Sequence, residues 1–522
     1  MYKKLEERLK ALSQKEYRFL LQGGLKGIEK EGLRVVPTGH IAQTPHPVTL
    51  GSKLTHPHIT TDYSEALLEL ITPPFADVKD TLSFLTDLHH FIYAQLSDEM
   101  MWATSMPCLL ETDDSIPIAD YGSSNVGQMK HIYRHGLAHR YGRAMQAISG
   151  VHFNYSIPEK FWPAYQLLEN DKSDLQNFIS ESYMSMIRNF QRIGWIVSYL
   201  FGASPAVCPS FTKLRLVEFD DFDCSSCTEP QATSLRMSDI GYKNSNQDGI
   251  VISYNSLDEY VASLRAAVKT PSDDYEKIGI LVDGEYRQLN TNILQIENEY
   301  YSFVRPKQIA ESGETPSHAL DTRGIKYVEI RALDVNPFDP IGLNEQQLHF
   351  MEALLIFCLL QDSPPMDSDE RHEFERNQST AACTGRNPDL TLSRDGKSVL
   401  LTDWVTEILD NMHGVCETLD EGSETKNYSD ALQAQIKKVS DNDLLPSARV
   451  IAEMHENDQS FFDFAMKKSE QHRDYFFNLS VDQKQFSQME EMAEQSHNEQ
   501  QAIEATEQLP FEQFLENYFK SD

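Results

Sequence analysis

The sequence predicts an α+β fold, on three observations. Stretches rich in Val, Ile, Tyr and Asn at Gly150 to Ile157, Tyr286 to Glu299 and Ile325 to Leu333 read as strands. They are scattered between helical blocks instead of alternating strictly with them, which disfavours a doubly wound parallel sheet. A chain of 522 residues that is 40% hydrophobic and 10% aromatic carries enough apolar surface for one large or two to three ordinary domains.

Taken in order, the first twenty residues read as an amphipathic helix, with Leu5, Leu9 and Leu12 on one stripe and charges between them. Such a segment is no secretory apolar region, so a cytoplasmic protein is expected. In Gly27-Ile-Glu-Lys-Glu-Gly-Leu-Arg34, Glu29 and Glu31 alternate with Ile28, Lys30 and Gly32, the period of a strand, and both carboxylates leave one face. A helix is expected after Thr61, capped by Asp62 with Glu65 at its third position, ended by Pro73 and Pro74, and placing Glu65 and Glu69 one turn apart. Further helices are expected over Thr81 to Leu96 and Met184 to Leu200. The longest apolar run, Ala353 to Leu360, is far short of the ~18 residues of a membrane span. Pro364 to Asp395 is polar and turn-rich and reads as a surface excursion. Residues 1–450 are expected to form the main unit. Residues 451–522, with 16 acidic against 5 basic side chains, should be an exposed, mostly helical segment.

The chain holds 80 acidic and 46 basic residues, a formal charge of −34, so the electrostatic footprint of a nucleic-acid binder is missing. Seven sparse cysteines, of which only Cys224 and Cys227 are close, read as reduced thiols. No phosphate loop, dinucleotide fingerprint, zinc-protease motif or nucleophile elbow occurs. A nucleotide would therefore be handled by divalent metal on clustered carboxylates. Three segments offer them: Glu29 with Glu31; Asp62, Glu65 and Glu69; and Glu329, which shares a strand face with Arg331. An acid beside an arginine suits a metal ligand next to a cation that stabilises a transferring phosphoryl group. It equally suits a plain salt bridge, and for Glu65 the capping box is the better explanation. His152 shares a face with Asn154, away from Val151, Phe153 and Tyr155. A lone sheet histidine is more often a hydrogen-bonded core residue than a ligand. His131, His135 and His139 form a polar helix face, because no acid or cysteine stands at ligand spacing. The alternatives are a zinc hydrolase built on that stripe and the cysteine pair, or an acidic binding protein.

Eight blocks resemble, in order and spacing, the glutamate–cysteine ligases of the proteobacterial type. They are Gly27 to Arg34, Ile59 to Glu69, Ser105-Met-Pro107, Ile148 to Asn154, Leu200 to Pro205, Thr233 to Asp239, Leu294 to Glu299 and Val328 to Arg331. The resemblance implies a fold related to glutamine synthetase, with a curved antiparallel sheet forming an acidic funnel surrounded by helices. It implies ligation of L-glutamate to L-cysteine at the expense of ATP, the first step of glutathione synthesis. A γ-glutamyl ligase with another amine acceptor is the sister reading. Residue by residue, Glu29, Glu31, Asp62, Glu69, His152 and Glu329 match the metal cluster. Arg331 matches the arginine at the transferred phosphoryl. Arg236 and Gln146 match the glutamate-binding pair, and Tyr63, Tyr133, Leu137, Tyr242 and Tyr301 the cysteine pocket. Tyr63 departs from the Phe often found there. Mg²⁺ is the implied ion; Mn²⁺ can substitute, because a histidine among the ligands is soft for Mg²⁺. Feedback inhibition by glutathione, a monomeric state and no nucleic-acid or membrane partner complete the expectation. Glu297 and Glu299 read as framework residues.

Overall fold

The computed structural model describes residues 2–215, 221–223, 226–228, 230–241, 250–311, 313–480, 482–507 and 509–520, the short strands at 221–223 and 226–228 by their backbone alone. Its centre is a seven-stranded sheet in which every pairing is antiparallel. The strands are β1 (Leu25–Val35), β2 (Ile59–Thr61), β3 (Leu67–Ile71), β4 (Met100–Met101), β5 (Gly150–Ser156), β6 (Val304–Lys307) and β7 (Tyr327–Asp334). Their order is β6-β7-β5-β1-β3-β2, with β4 paired to the end of β1. Register settles what meets on the front face: Glu29 lies opposite His152, Glu31 opposite Glu69, and Glu329 opposite Asn154. The register of β7 against β5 shifts between Ile330 and Leu333, beside these residues.

The back face is mainly apolar, with Ile28, Val151, Phe153, Val328 and Ile330 fully buried beside the buried Lys26 and Lys30. Behind it lies the helix Glu345–Leu360, whose residues from Gln347 onward are all buried. The apolar run Ala353 to Leu360 is thus a core helix, hydrophobic on every side because every side is covered. It also brings Glu352 to Lys26 of β1 (2.8 Å) and to the hydroxyls of Tyr155 (3.1 Å) and Tyr428 (2.7 Å). Helix α1 spans Lys3–Leu12 and α2 Val78–Gln95, the latter capped by Asp77 accepting from the Lys79 amide. Helices α3 (Asn125–Tyr141) and α4 (Arg143–Gln146) precede β5.

Several expected elements are corrected. The helix after Thr61 is instead a turn between β2 and β3. Ala-Leu-Leu-Glu-Leu has helical propensity, but pairing with β1 on one side and β2 on the other overrides it. Glu65 caps no helix: it accepts from Lys53 Nζ (2.6 Å) and the His46 and Asp120 amides. The strand expected over Tyr286 to Glu299 shrinks to the hairpin Leu281–Val282 with Glu285–Tyr286. Beyond it, Asn and Gln side chains take the backbone groups a ladder would need, as Asn290 Nδ2 does with the Gln295 carbonyl, and the 3₁₀ turn Glu297–Glu299 follows. Met184 to Leu200 is two helices, Leu175–Ile193 and Trp195–Phe201, broken at Gly194. The excursion at 364–395 contains the helix Ser368–Thr384 and a hairpin strand, Thr391–Arg394. The first helix ends at Leu12, short of the twenty residues expected. Cys108 and Cys208 form a disulfide, so the expectation of uniformly reduced thiols fails; the partners lie 100 residues apart in sequence, and no spacing rule joins them. Cys224 lies outside the described residues, as does the side chain of Cys227. Beyond residue 450 come the helices Phe461–Phe477, Gln483–Thr506 and Phe511–Lys520. The first is anchored in the core through Phe461, Phe464 and Ala465. No helix among the described residues is long and apolar enough to cross a membrane.

Candidate active site

The front face of the sheet carries the acids as period-two alternation dictates. Three residues from three adjacent strands converge: ligand atoms of Glu29 (β1), His152 (β5) and Glu329 (β7) lie within 4.8 Å of one another, the one such group among the described residues. His152 Nδ1 is 3.1 Å from Glu29 Oε2 and 3.8 Å from Glu329 Oε1, while its Nε2 is 3.4 Å from Glu31 Oε1. Asn154 Nδ2 donates to Glu29 Oε1 (2.9 Å), and the Gly150 amide donates to Glu31 Oε2 (2.6 Å). The imidazole thus sits between acids on both sides.

The charges explain how these groups titrate. Burial raises Glu69, and repulsion from Glu29, Asp62 and Glu31 pushes it well above the usual carboxylate range. Burial likewise raises Glu31, against the pull of His152. Glu329 behaves oppositely. Burial opposes its charge, but Lys307, Arg331 and His152 together hold it well below the ordinary value. Lys307 Nζ stands 3.5 Å and Arg331 Nη1 3.2 Å from Glu329 Oε1. The second oxygen, Oε2, is buried and accepts no hydrogen bond from any described residue. Crowded carboxylates, one imidazole and an unused buried acceptor fit a hard divalent cation.

Beside the cluster opens a cleft. Glu31, Asp62 and Arg331 are among its lining residues, together with Tyr63, Tyr133, Leu137, Gln146 and Tyr301. Gln146 Nε2 donates to the Tyr301 hydroxyl (2.7 Å), tying α4 to the segment before β6. The Tyr63 hydroxyl is buried and has no hydrogen-bond partner among the described residues. Burial pushes that phenol up, beyond the range in which it ionises. Arg236 is less accessible than the sequence suggests. Its guanidinium is buried, donates to the Arg331 carbonyl (2.9 Å) and lies 3.7 Å from Asp334. Tyr242 lies outside the described residues. The histidine stripe of α3 does not gather ligands: His131 Nδ1 bonds the Ala119 carbonyl and its Nε2 meets His135 Nε2 at 3.1 Å.

Four basic or amide groups at the cleft escape sequence reasoning. Arg305 and Asn298 line it, Lys307 reaches Glu329, and Arg134 donates to the Asp62 carbonyl (2.5 Å) while stacking 4.5 Å over the Tyr121 ring. The alternation Val-Arg-Pro-Lys at 304–307 is the available signal for β6, whose Arg305 pairs in register with Glu329. Arg134 was hidden on the face set aside as merely polar. Glu299, read from the sequence as framework, accepts from Arg140 (2.9 Å), Tyr141 (2.7 Å) and the Gln295 amide, and it also lines the cleft.

Residues 9–381 match the family model described as glutamate-cysteine ligase. The chain is 47% identical to a glutamate–cysteine ligase of Alcanivorax borkumensis over 99% of both chains, and 46% identical to one of Pseudomonas putida over 96% of this chain and 95% of the other. Among solved structures it is similar to the glutamate–cysteine ligase of Francisella tularensis in complex with AMP, with TM-score 0.90, 36% identity and coverage of 96% and 98%. A bifunctional glutathione synthetase of Pasteurella multocida shares the fold at TM-score 0.68 and 24% identity, over 88% of this chain and 52% of that one.

Proposed function

The chain belongs to the glutamate–cysteine ligase family, and on that premise we propose that it joins the γ-carboxylate of L-glutamate to the amine of L-cysteine at the expense of ATP. The products are γ-glutamylcysteine, ADP and phosphate, and the reaction opens glutathione synthesis. One observation carries the reading. Arg331 projects into the cleft two residues from Glu329, which belongs to the one acid–imidazole cluster among the described residues. A guanidinium that lines the cleft and an acid of the cluster thus stand two residues apart on a single strand.

A carboxylate is a poor acyl donor, so its γ-oxygen first attacks the terminal phosphorus of ATP, expelling ADP and leaving γ-glutamyl phosphate. The cysteine amine then attacks the acyl carbon, phosphate departs and the amine loses a proton. Arg331 is assigned to the transferring phosphoryl group, where a planar guanidinium meets its equatorial oxygens. Glu29, Glu31, Asp62, Glu69, His152 and Glu329 would hold divalent cations, Mg²⁺ or the substitute Mn²⁺. Such ions neutralise the triphosphate when bound. Gln146 and Arg236 are assigned to glutamate, Arg236 through a rearrangement of the bonds it now makes. Tyr63, Tyr133, Leu137 and Tyr301 are assigned to the acceptor wall, and Tyr242 with them. We assign catalysis to residues 1–450, a cytoplasmic location, a monomer and feedback inhibition by glutathione through the shared γ-glutamyl group. A sheet curved into a funnel around the acids completes this picture.

The acyl-phosphate route is tested by isotope transfer. With ¹⁸O in the γ-carboxylate of glutamate, one labelled oxygen should appear in the phosphate released during turnover, read by mass. Unlabelled phosphate alongside γ-glutamylcysteine would rule the intermediate out.

A further inference from the structure

The walls of the cleft assigned to the acceptor come from the turn between β2 and β3, which carries Tyr63, and from two further segments, Tyr133 and Leu137 of α3 and Tyr301 of the chain before β6. The last two touch closely: a Cβ on Gly136 would stand 2.0 Å from Gln295 Oε1, and Gln295 Nε2 donates to the Tyr133 carbonyl (3.3 Å). On the far side of this junction lies the C-terminal helix Phe511–Lys520. Its Leu515, 8% exposed, joins Met129 and Ile132 of α3 and Leu289 in a small apolar cluster separate from the main core, with Tyr133 and Ile296 packed against it. The Tyr286 and Phe511 rings add an edge contact at 5.5 Å. Of the apolar residues of α3, Leu137 and Tyr141 belong to the main core, whereas Met129 and Ile132 belong to this cluster.

The preceding helix, Gln483–Thr506, together with Glu507 and Leu509 beyond it, holds the other end of α3. Glu504 Oε1 accepts from the Ser123 amide (2.9 Å), Glu507 Oε2 from the Asn125 amide (2.5 Å), and the Leu509 carbonyl from Asn125 Nδ2 (2.9 Å). These acids satisfy amides at the α3 N-terminus and complement its dipole. Glu31 and Arg331, also at the cleft, are instead placed by the sheet ladder, whereas Asp62 lies in the turn after β2, where its carbonyl accepts from Arg134 of α3.

We infer that the acidic C-terminal segment is a strap that positions the acceptor wall, so that Glu504, Glu507 and Leu515 set how tightly and selectively L-cysteine is held. The inference rests on the acceptor-pocket reading above. Leu515, Glu504 and Glu507 are positioning residues in it; none lines the cleft.

The test uses the full chain carrying Leu515→Glu, and separately the pair Glu504→Gln with Glu507→Gln. Each should raise the KM for L-cysteine about tenfold and lower the preference for L-cysteine over L-2-aminobutyrate, with the KM values for ATP and L-glutamate held within about twofold. Leu515→Met should retain the parent values. Hydrogen exchange of residues 511–520 should rise in Leu515→Glu. Faster exchange with an unchanged cysteine KM overturns the inference, as do three KM values that rise together and an exchange rate that does not move. Leu137→Ala separates the two readings. If it raises the cysteine KM while Leu515→Glu does not, only the strap fails; if it leaves that KM unchanged, the acceptor-pocket assignment fails and the strap with it.

Discussion

Glu329→Gln is expected to lower kcat by about 10²- to 10³-fold while leaving the fold intact. The substitution keeps the shape of the side chain and removes its charge. Glu329 is held ionised against its burial by Lys307, Arg331 and His152, so its loss acts twice. It takes one acid from the cluster shared with Glu29 and His152, and it frees Arg331 from the 3.2 Å contact that aims the guanidinium. Positioning is the larger part of phosphoryl transfer, so a side chain released at this point costs rate more than affinity. The backbone of β7 keeps its ladder to β5 and β6, and the far-UV circular dichroism should not change. A variant with more than a tenth of the parent kcat would show that the cluster is a structural salt bridge.

Glu352→Ala is expected to cost about 3–5 kcal/mol of stability, read by denaturant unfolding of the whole chain. Glu352 is wholly buried, and it is the acceptor for Lys26 Nζ at 2.8 Å and for the Tyr155 and Tyr428 hydroxyls. Truncating it strands a buried ammonium and two phenols behind the sheet that carries the site. Replacing both charges, Lys26→Met with Glu352→Met, should recover most of the loss, because the desolvation of the pair then disappears along with its attraction. A single variant that loses less than about 1 kcal/mol would mean that water reaches this layer.

What the sequence revealed, and what it hid, follow from how local each signal is. β1, β5 and β7 were legible because period-two alternation is written in neighbouring residues, and with it came the shared faces of Glu29 with Glu31, His152 with Asn154 and Glu329 with Arg331. That Glu29 faces His152 is a matter of register between strands more than a hundred residues apart, and no local pattern contains it. β3 was misread because its helix-forming residues are overruled by pairing with β1. The disulfide between Cys108 and Cys208 was invisible for the same reason of distance. The acceptor wall had no periodic signal at all. Tyr63, Tyr133 and Tyr301 were singled out by family resemblance, and only the folded chain brings them around one cleft. Arg134 and Lys307 look in sequence like ordinary surface charges. Their partners, the Asp62 carbonyl and the Glu329 carboxylate, are what set them apart.

The most direct test is to incubate the purified chain with ATP, Mg²⁺ and L-glutamate, with and without L-cysteine, measuring ADP and weighing the product. The account predicts ADP release that depends on L-cysteine and is matched mole for mole by γ-glutamylcysteine. ADP that appears only with a different amine would contradict the acceptor assignment while leaving the ATP and glutamate ends standing, and no ADP with any amine would contradict the function itself.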